Sequence, residues 1–293
     1  MKDMKILVTG GSGFAGSNLI KYFHHHGFEV IATYRNNKPH EFISGVKYVR
    51  IDLSNRICLE DPVDAIVHTA VSQSGSVLTM EEYIRDNIDT ARNIVDFARR
   101  TGVKTIIYFS TRSIYGEIRC EEVYEENDII NPDKYGQVKF IAEQIFKEAK
   151  GINTIGIRTP GIIGPGAHDI WLKKIVDEMI NNEPIIISDF DTKNLVHIDD
   201  IGKFICILLD KSAEGKWFEY SVVNLACKDT INNKEIVEII RKRTKSKSVV
   251  TVKEKGAGLF VLNADKAYKM GFVSKTPADI VNDYLTYVLD KSL

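Results

Sequence analysis

Three groups of residues have types and spacings that could do chemistry. The first is Tyr135-Gly136-Gln137-Val138-Lys139. A spacing of four places a phenol and an ammonium one helical turn apart on one face. A phenol ordinarily titrates near 10, too high for efficient proton transfer at neutral pH, and a nearby cation stabilises the phenolate. Lowering that pKa by about 3 units takes roughly 4 kcal/mol, which Lys139 could share with a bound cation. The second group is Thr9-Gly10-Gly11-Ser12-Gly13-Phe14-Ala15-Gly16. Glycines let the backbone turn sharply beneath a pyrophosphate, and the helix that follows offers free N–H groups and a positive dipole end. Gly10, Gly13, Phe14, Ala15 and Gly16 are therefore candidates to hold a dinucleotide. The third is Thr111, just after an apolar run, whose hydroxyl could bond a reacting oxygen alongside the phenol.

These groups need elements to position them. Lys5–Thr9, Glu29–Tyr34, Lys47–Ile51, Ala65–Thr69, Thr105–Ser110 and Asn153–Arg158 read as strands. Helical patterns fall between them, at Ser17–His26, Glu82–Thr101 and Tyr135–Lys150. Unbroken apolar strands alternating with helices predict an α/β protein with a doubly wound parallel sheet of the Rossmann kind, helices on both faces. The C-terminal ends of such strands face the ligand crevice, which is where the glycines and Thr111 fall. The rest reads as shorter pieces: helices at Ile170–Asn181, Ile201–Asp210, Asn232–Arg243 and Pro277–Leu289, with strands at Ile185–Ser188, Val222–Ala226 and Val249–Val252. The expected division is a dinucleotide-binding part over 1–165, to which 190–230 returns, and a small α/β substrate lobe mainly over 166–293. Asp199 and Asp200 are expected to cap a helix.

Composition narrows the partners. The 293 residues carry 39 Lys+Arg against 40 Asp+Glu, a formal net charge of −1. That balance gives no whole-chain reason to bind nucleic acid. No run approaches the roughly 18 apolar residues that span a bilayer, and the N-terminus lacks a signal-peptide layout, so a cytoplasmic, non-membrane protein is expected. The cysteines at 58, 120, 206 and 227 form no CxxC pair, and no metal site is expected. An acidic run at 117–128 and a basic run at 241–255 cancel in the sum and read as solvated surface.

The end of the second strand should carry an acid if the dinucleotide were NAD. It reads Ala32-Thr33-Tyr34-Arg35-Asn36 instead. Arg35 could stack on adenine and pair with a 2′-phosphate, which favours NADP over NAD.

Together these residues resemble an extended short-chain dehydrogenase/reductase of the NAD-dependent epimerase/dehydratase family. Thr9, Gly10, Gly13 and Gly16 fill TGxxGxxG, and Tyr135 and Lys139 fill YxxxK. Further matching elements are Asp52-Leu53, Val67-His68-Thr69-Ala70, Asn87-Ile88-Asp89-Thr90, Arg158-Thr159-Pro160-Gly161, and Val196-His197-Ile198-Asp199-Asp200. The resemblance implies that Thr111, Tyr135 and Lys139 are catalytic. It also implies that Asp52, Leu53, Thr69, Ala70, Asn87 and Pro160 join the glycines and Arg35 around the cofactor. The implied substrate is a nucleotide-linked sugar, with Ser113, His168 and Lys193 on the substrate side, and the implied assembly is a homodimer. Arg112 and Ser113 stand where dehydratases of the family carry an acid, which argues against water loss. Three readings follow. One is an epimerase that oxidises to a keto sugar and reduces it again. Another is an NADPH-dependent 4-ketoreductase of a deoxysugar nucleotide. The third is a dinucleotide-binding protein without catalysis.

Overall fold

The computed structural model describes residues 4–71, 78–168, 170–188, 192–215, 219–253 and 260–290. The glycine turn links β1 (Lys5–Thr9) to α1 (Phe14–His25), which ends with His24 and His25 at its negative dipole end. β2 (Glu29–Tyr34), β3 (Lys47–Arg50) and β4 (Ala65–His68) follow. The expected single helix over 82–101 is instead α2 (Met80–Tyr83), a π turn (Ile84–Asp89) and α3 (Thr90–Thr101). Thr79 and Glu82 form a capping box that starts the helix early. The Asn87 side-chain amide donates to the Tyr83 carbonyl at 3.0 Å, competing with the regular ladder where the turn widens.

β5 (Thr105–Thr111) runs into a 3₁₀ turn (Arg112–Tyr115). Then come β6 (Glu122–Val123), α4 (Lys134–Lys147), β7 (Asn153–Thr159), β8 (Ile162–Ile163) and α5 (Trp171–Ile180). β9 (Ile185–Ser188), β10 (Thr192–Lys193) and β11 (Val196–His197) precede α6 (Ile198–Ala213). Asp199 and Asp200 lie inside the first turn of α6, where acids suit the dipole, rather than capping it. The chain closes with β12 (Tyr220–Asn224), β13 (Ile231–Asn232), α7 (Asn233–Thr244), β14 (Val250–Lys253), β15 (Val261–Leu262), α8 (Asp265–Lys269) and α9 (Pro277–Asp290).

Two compact units result. The first comprises 1–117, 125–159 and 202–224. It holds a seven-stranded sheet in the order β12-β7-β5-β4-β1-β2-β3, every pairing parallel. Alternation along the strands sends Leu7, Ile31, Ile66 and Ile106 into one core with α3 and α4, where Ile94, Phe97, Ala142 and Phe146 meet them. Ile6, Val8, Val30 and Val67 point the other way and are equally buried. The order reverses between β1 and β4, so this is the doubly wound Rossmann arrangement, whose crevice lies at that reversal. The second unit comprises 118–124, 160–201 and 225–293. It contains the two-stranded pairs β10–β13, β8–β11, β9–β14 and β6–β15, and it buries Leu172, Val176, Ile240 and Leu285.

Candidate active site

The candidate dinucleotide cradle is built by contact between chain segments. Gly13 is the N-cap of α1, with no side-chain cap and no acid in the first turn. The N–H groups of Phe14, Ala15 and Gly16 therefore have no intrahelical acceptor and face the positive end of the dipole. Gly16 must be glycine, because a Cβ there would overlap the Gly10 carbonyl. Thr9 fixes the turn to the next strand. Its hydroxyl meets the N–H groups of Thr69 and Ala70 at 3.2 Å each and bonds His68 Nδ1 at 2.8 Å, while Thr69 Oγ1 donates to the Thr9 carbonyl at 2.6 Å. Burial lowers His68 to about 3, so the ring is neutral and serves as a hydrogen-bond partner in this lock. An uncapped helix end behind a tight glycine turn fits a pyrophosphate.

Two strands away, about 10 Å at the spacing of a sheet, is the end of β5, against which α4 packs with Tyr135 and Lys139 along it. Asp133 caps α4 by accepting from the Gly136 N–H at 2.7 Å. A Cβ on Gly136 would overlap the Ser113 carbonyl, so the first turn of α4 sits directly on the backbone that follows β5. That contact fixes the first turn of α4, which carries Tyr135, against the turn that follows β5. Thr111 Oγ1 accepts from the Ser113 N–H at 3.1 Å, holding the hydroxyl at the strand's end. Lys139 is 4% exposed and its ammonium donates to the Phe109 carbonyl. Burial brings Lys139 down to about 8, opposed by the charge of Glu143. The Tyr135 ring packs with Tyr83, Ile88 and Val138. Burial, with Asp133 and Tyr83 adding to it, pushes the phenol well above its ordinary range. The expected lowering by Lys139 is thus not a property of these side chains alone, since the ammonium is turned to a carbonyl.

Beneath Lys139 lies a buried polar network. Glu143, one further turn along α4, has no exposed surface. It accepts from Ser110 Oγ at 2.5 Å and from Arg158 Nε and Nη2 at 3.0 and 2.7 Å. Arg158 Nη1 also donates to the Tyr115 hydroxyl and the Glu125 carbonyl, both at 2.9 Å, and Tyr115 donates to Asn224 at 2.8 Å. The network ties β5, α4, β7 and β12 together.

At the far end of the crevice, Arg35 follows β2 as the sequence indicates. Its guanidinium, however, is held by Asp86, with Nη1 at 2.7 Å and Nη2 at 3.2 Å. Arg85 Nε joins the same carboxylate at 2.9 Å, and Arg50 Nε donates to the Arg35 carbonyl at 3.0 Å. Asp52 accepts from the N–H and hydroxyl of Ser54 at 3.1 and 2.8 Å, and Leu53 is buried, its carbonyl taking the Asn93 amide at 3.0 Å. Asn87 is buried in the π turn, and its Oδ1 has no protein partner.

Residues 6–226, well over half of the chain, match the model of the NAD dependent epimerase/dehydratase family. The chain belongs to that family. A UDP-glucose 4-epimerase of Corynebacterium glutamicum is 23% identical over 271 residues, covering 82% of this chain and 80% of that one. A dTDP-4-dehydro-6-deoxy-D-allose reductase of Streptomyces is 25% identical over 250 residues, covering 74% and 75%. Among structures, a UDP-glucuronic acid 4-epimerase of Bacillus cereus in complex with NAD superposes with a TM-score of 0.82 at 20% identity, over 99% of this chain and all of that one. The family assignment makes the chain an NAD(P)-dependent enzyme, an epimerase or an oxidoreductase. Among the described residues no group of three or more His, Cys, Asp or Glu could hold a metal, and no helix is long and apolar enough to cross a membrane.

Within the family frame, Pro160 and His168 lie in the second unit, Pro160 directly after β7. His168 is exposed, with Nδ1 3.0 Å from the Gly166 carbonyl. Lys193 pairs through its backbone with Ile231, and its side chain lies outside the described residues. Glu143 and Asp86 were not foreseen. Glu143 had a signal, since it continues the spacing of four from Tyr135 and Lys139 along one helix face. Asp86 had none, because its partner is 51 residues away in sequence.

Proposed function

We propose that this protein is a nucleotide-sugar epimerase that works by transient oxidation to a keto sugar. The observation that carries the reading is the seating of Gly136 on the Ser113 backbone. It seats the helix that carries Tyr135 and buried Lys139 on the backbone that follows Thr111, two strands from the glycine turn. A nicotinamide held there would supply hydride exchange with the sugar carbon and, when oxidised, a positive charge. Tyr135 moves the proton of the hydroxyl on that carbon. With the phenol held high by burial, it is a proton donor at rest and becomes a base only when positive charge stabilises the phenolate. Lys139 would supply part of that charge and, turned from the Phe109 carbonyl, would hold the cofactor ribose. Thr111 holds the reacting oxygen. The relatives act on UDP- and dTDP-linked sugars, which supports a nucleotide-linked sugar here, and the Bacillus cereus neighbour supports NAD as cofactor.

The Streptomyces relative supports a second reading, reduction of a 4-keto sugar nucleotide with net use of NAD(P)H. Incubation with a panel of UDP- and dTDP-linked sugars separates the two. Isomer formed at constant cofactor absorbance is the expected result; stoichiometric NAD(P)H oxidation on keto sugars overturns it in favour of reduction. Exposed apolar residues Met80, Ile84 and Ile141 on α2, the π turn and α4 fit a homodimer paired through these helices. Ile141→Glu is expected to shift the protein to monomer in sedimentation.

A further inference from the structure

The end of β2 presents a conflict. An arginine in this position reads the 2′-phosphate of NADP through its planar fork of donors. Here Arg35 has both terminal nitrogens on one carboxylate, Asp86, at 2.7 and 3.2 Å. Asp86 is anchored where it stands. Its side chain is 8% exposed, against 42% for Arg35 and 47% for Arg85, and Arg85 binds the same Oδ1 at 2.9 Å. It rises from the π turn that interrupts the helix after β4, so the backbone as well as two guanidinium groups holds it. The pair strengthens the charge on Arg35, chiefly through the hydrogen bond to Asp86, with Asp52 adding to it.

We infer that Asp86 is the residue that selects NAD over NADP, by occupying the end-on guanidinium fork of Arg35 and offsetting the charge that a 2′-phosphate would seek. This rests on the reading of the crevice as a dinucleotide site. A 2′-phosphate is a dianion that needs at least one free fork for bidentate recognition. To take the end-on fork of Arg35, it must displace a nearly buried carboxylate already shared with a second arginine; otherwise it is left the Nε edge of that guanidinium. If it binds beside the pair in this way, it meets a guanidinium whose charge Asp86 already offsets. A 2′-hydroxyl meets neither obstacle. The flat face of the guanidinium, which the in-plane bonds to Asp86 leave uncommitted, suits stacking on adenine. The selection is thus made by a residue far from β2 in sequence, acting on an arginine that by itself points to the other cofactor.

The test is direct binding. NADH and NADPH are titrated into the full-length protein and followed by nicotinamide fluorescence, with Asp86→Asn, Arg35→Leu and the double variant in parallel and circular dichroism confirming the fold. The wild type is expected to bind NADH at least tenfold more tightly than NADPH. Asp86→Asn should move the NADPH-to-NADH affinity ratio at least tenfold toward NADPH, and the double variant should lose that gain because it lacks the freed fork. Wild-type preference for NADPH, or an unmoved ratio in folded Asp86→Asn, overturns the inference. Should Asp86→Asn fail to fold, Arg35→Leu decides: the inference expects it to leave the wild-type preference for NADH in place, and a rise of tenfold or more in that preference, showing that Arg35 was already serving NADPH, overturns it. Binding of neither dinucleotide overturns the reading of the crevice itself.

Discussion

The two ends of the crevice in the first unit use charge in opposite ways. At the α4 end the charges are buried: Lys139 at 4% exposure, Glu143 at none and Arg158 at 5%. At the β2 end Arg35 and Arg85 are close to half exposed, and only Asp86 is withdrawn from water. A charge taken out of water acts through a strong, unscreened field and costs several kcal/mol if its partner is removed. A half-exposed pair is screened, contributes little to stability, and is free to be a matter of selectivity. The α4 end therefore depends on its network for the fold, whereas at the β2 end Asp86 stays anchored and either half-exposed arginine can be replaced without endangering the structure.

The largest effect on stability should come from Glu143→Gln, which keeps the shape but leaves Arg158 buried without its counter-charge. A loss of about 3–5 kcal/mol in urea unfolding is expected. The paired replacement of Glu143 and Arg158 by Met should recover most of that loss, since apolar side chains of similar volume replace a buried pair at little cost. A loss below about 1 kcal/mol in Glu143→Gln would show that water reaches the network and would erase the contrast between the two ends.

Lys139 gives a pH signature. Its folded pKa, brought down by burial to about 8, lies below the ordinary lysine value of 10.5. Between those values the unfolded chain binds the proton that the native protein has released, so stability rises with pH across that window. Below about 8 both states are protonated and the full cost of the buried charge is present. Lys139→Met should remove this rise. The gap between wild-type and variant unfolding free energies should therefore close by up to about 3 kcal/mol from pH 7.5 to pH 10.5. Parallel pH profiles for the two proteins would place Lys139 in contact with water. At the other end, Arg85→Gln should cost less than about 1 kcal/mol, a change smaller still at high salt. A cost of several kcal/mol there would show that the β2 end is as structural as the α4 end.

Much of this was legible from residue types alone, and the remainder was hidden for physical reasons. The glycine turn and the Tyr135–Lys139 spacing are local, within one turn of backbone, and the strands of the sheet are unbroken apolar runs; local and periodic signals of this kind survive in a sequence. The π turn at Ile84–Asp89 hides because it follows from a single side-chain amide, that of Asn87, inside an otherwise helical pattern. The Arg35–Asp86 pair and the Ser110–Glu143–Arg158 network join residues on different elements, and nothing in the neighbourhood of either partner announces the other. Arg35 shows the consequence. Read alone it favours NADP, and what surrounds it in the fold is a carboxylate. Tyr135 shows the same for electrostatics: a cation four residues along the helix suggests a lowered phenol, yet Lys139 donates to the Phe109 carbonyl and burial prevails.

The central claim is that Tyr135 moves the proton in a reaction on a nucleotide-linked sugar. The most direct measurement is the turnover of Tyr135→Phe beside wild type, at saturating cofactor, on whichever sugar nucleotide the wild type converts, with NADH binding measured on both. A fall of about 10²- to 10⁴-fold in turnover, with the cofactor still bound, is the predicted result. Turnover within a few-fold of wild type would contradict it.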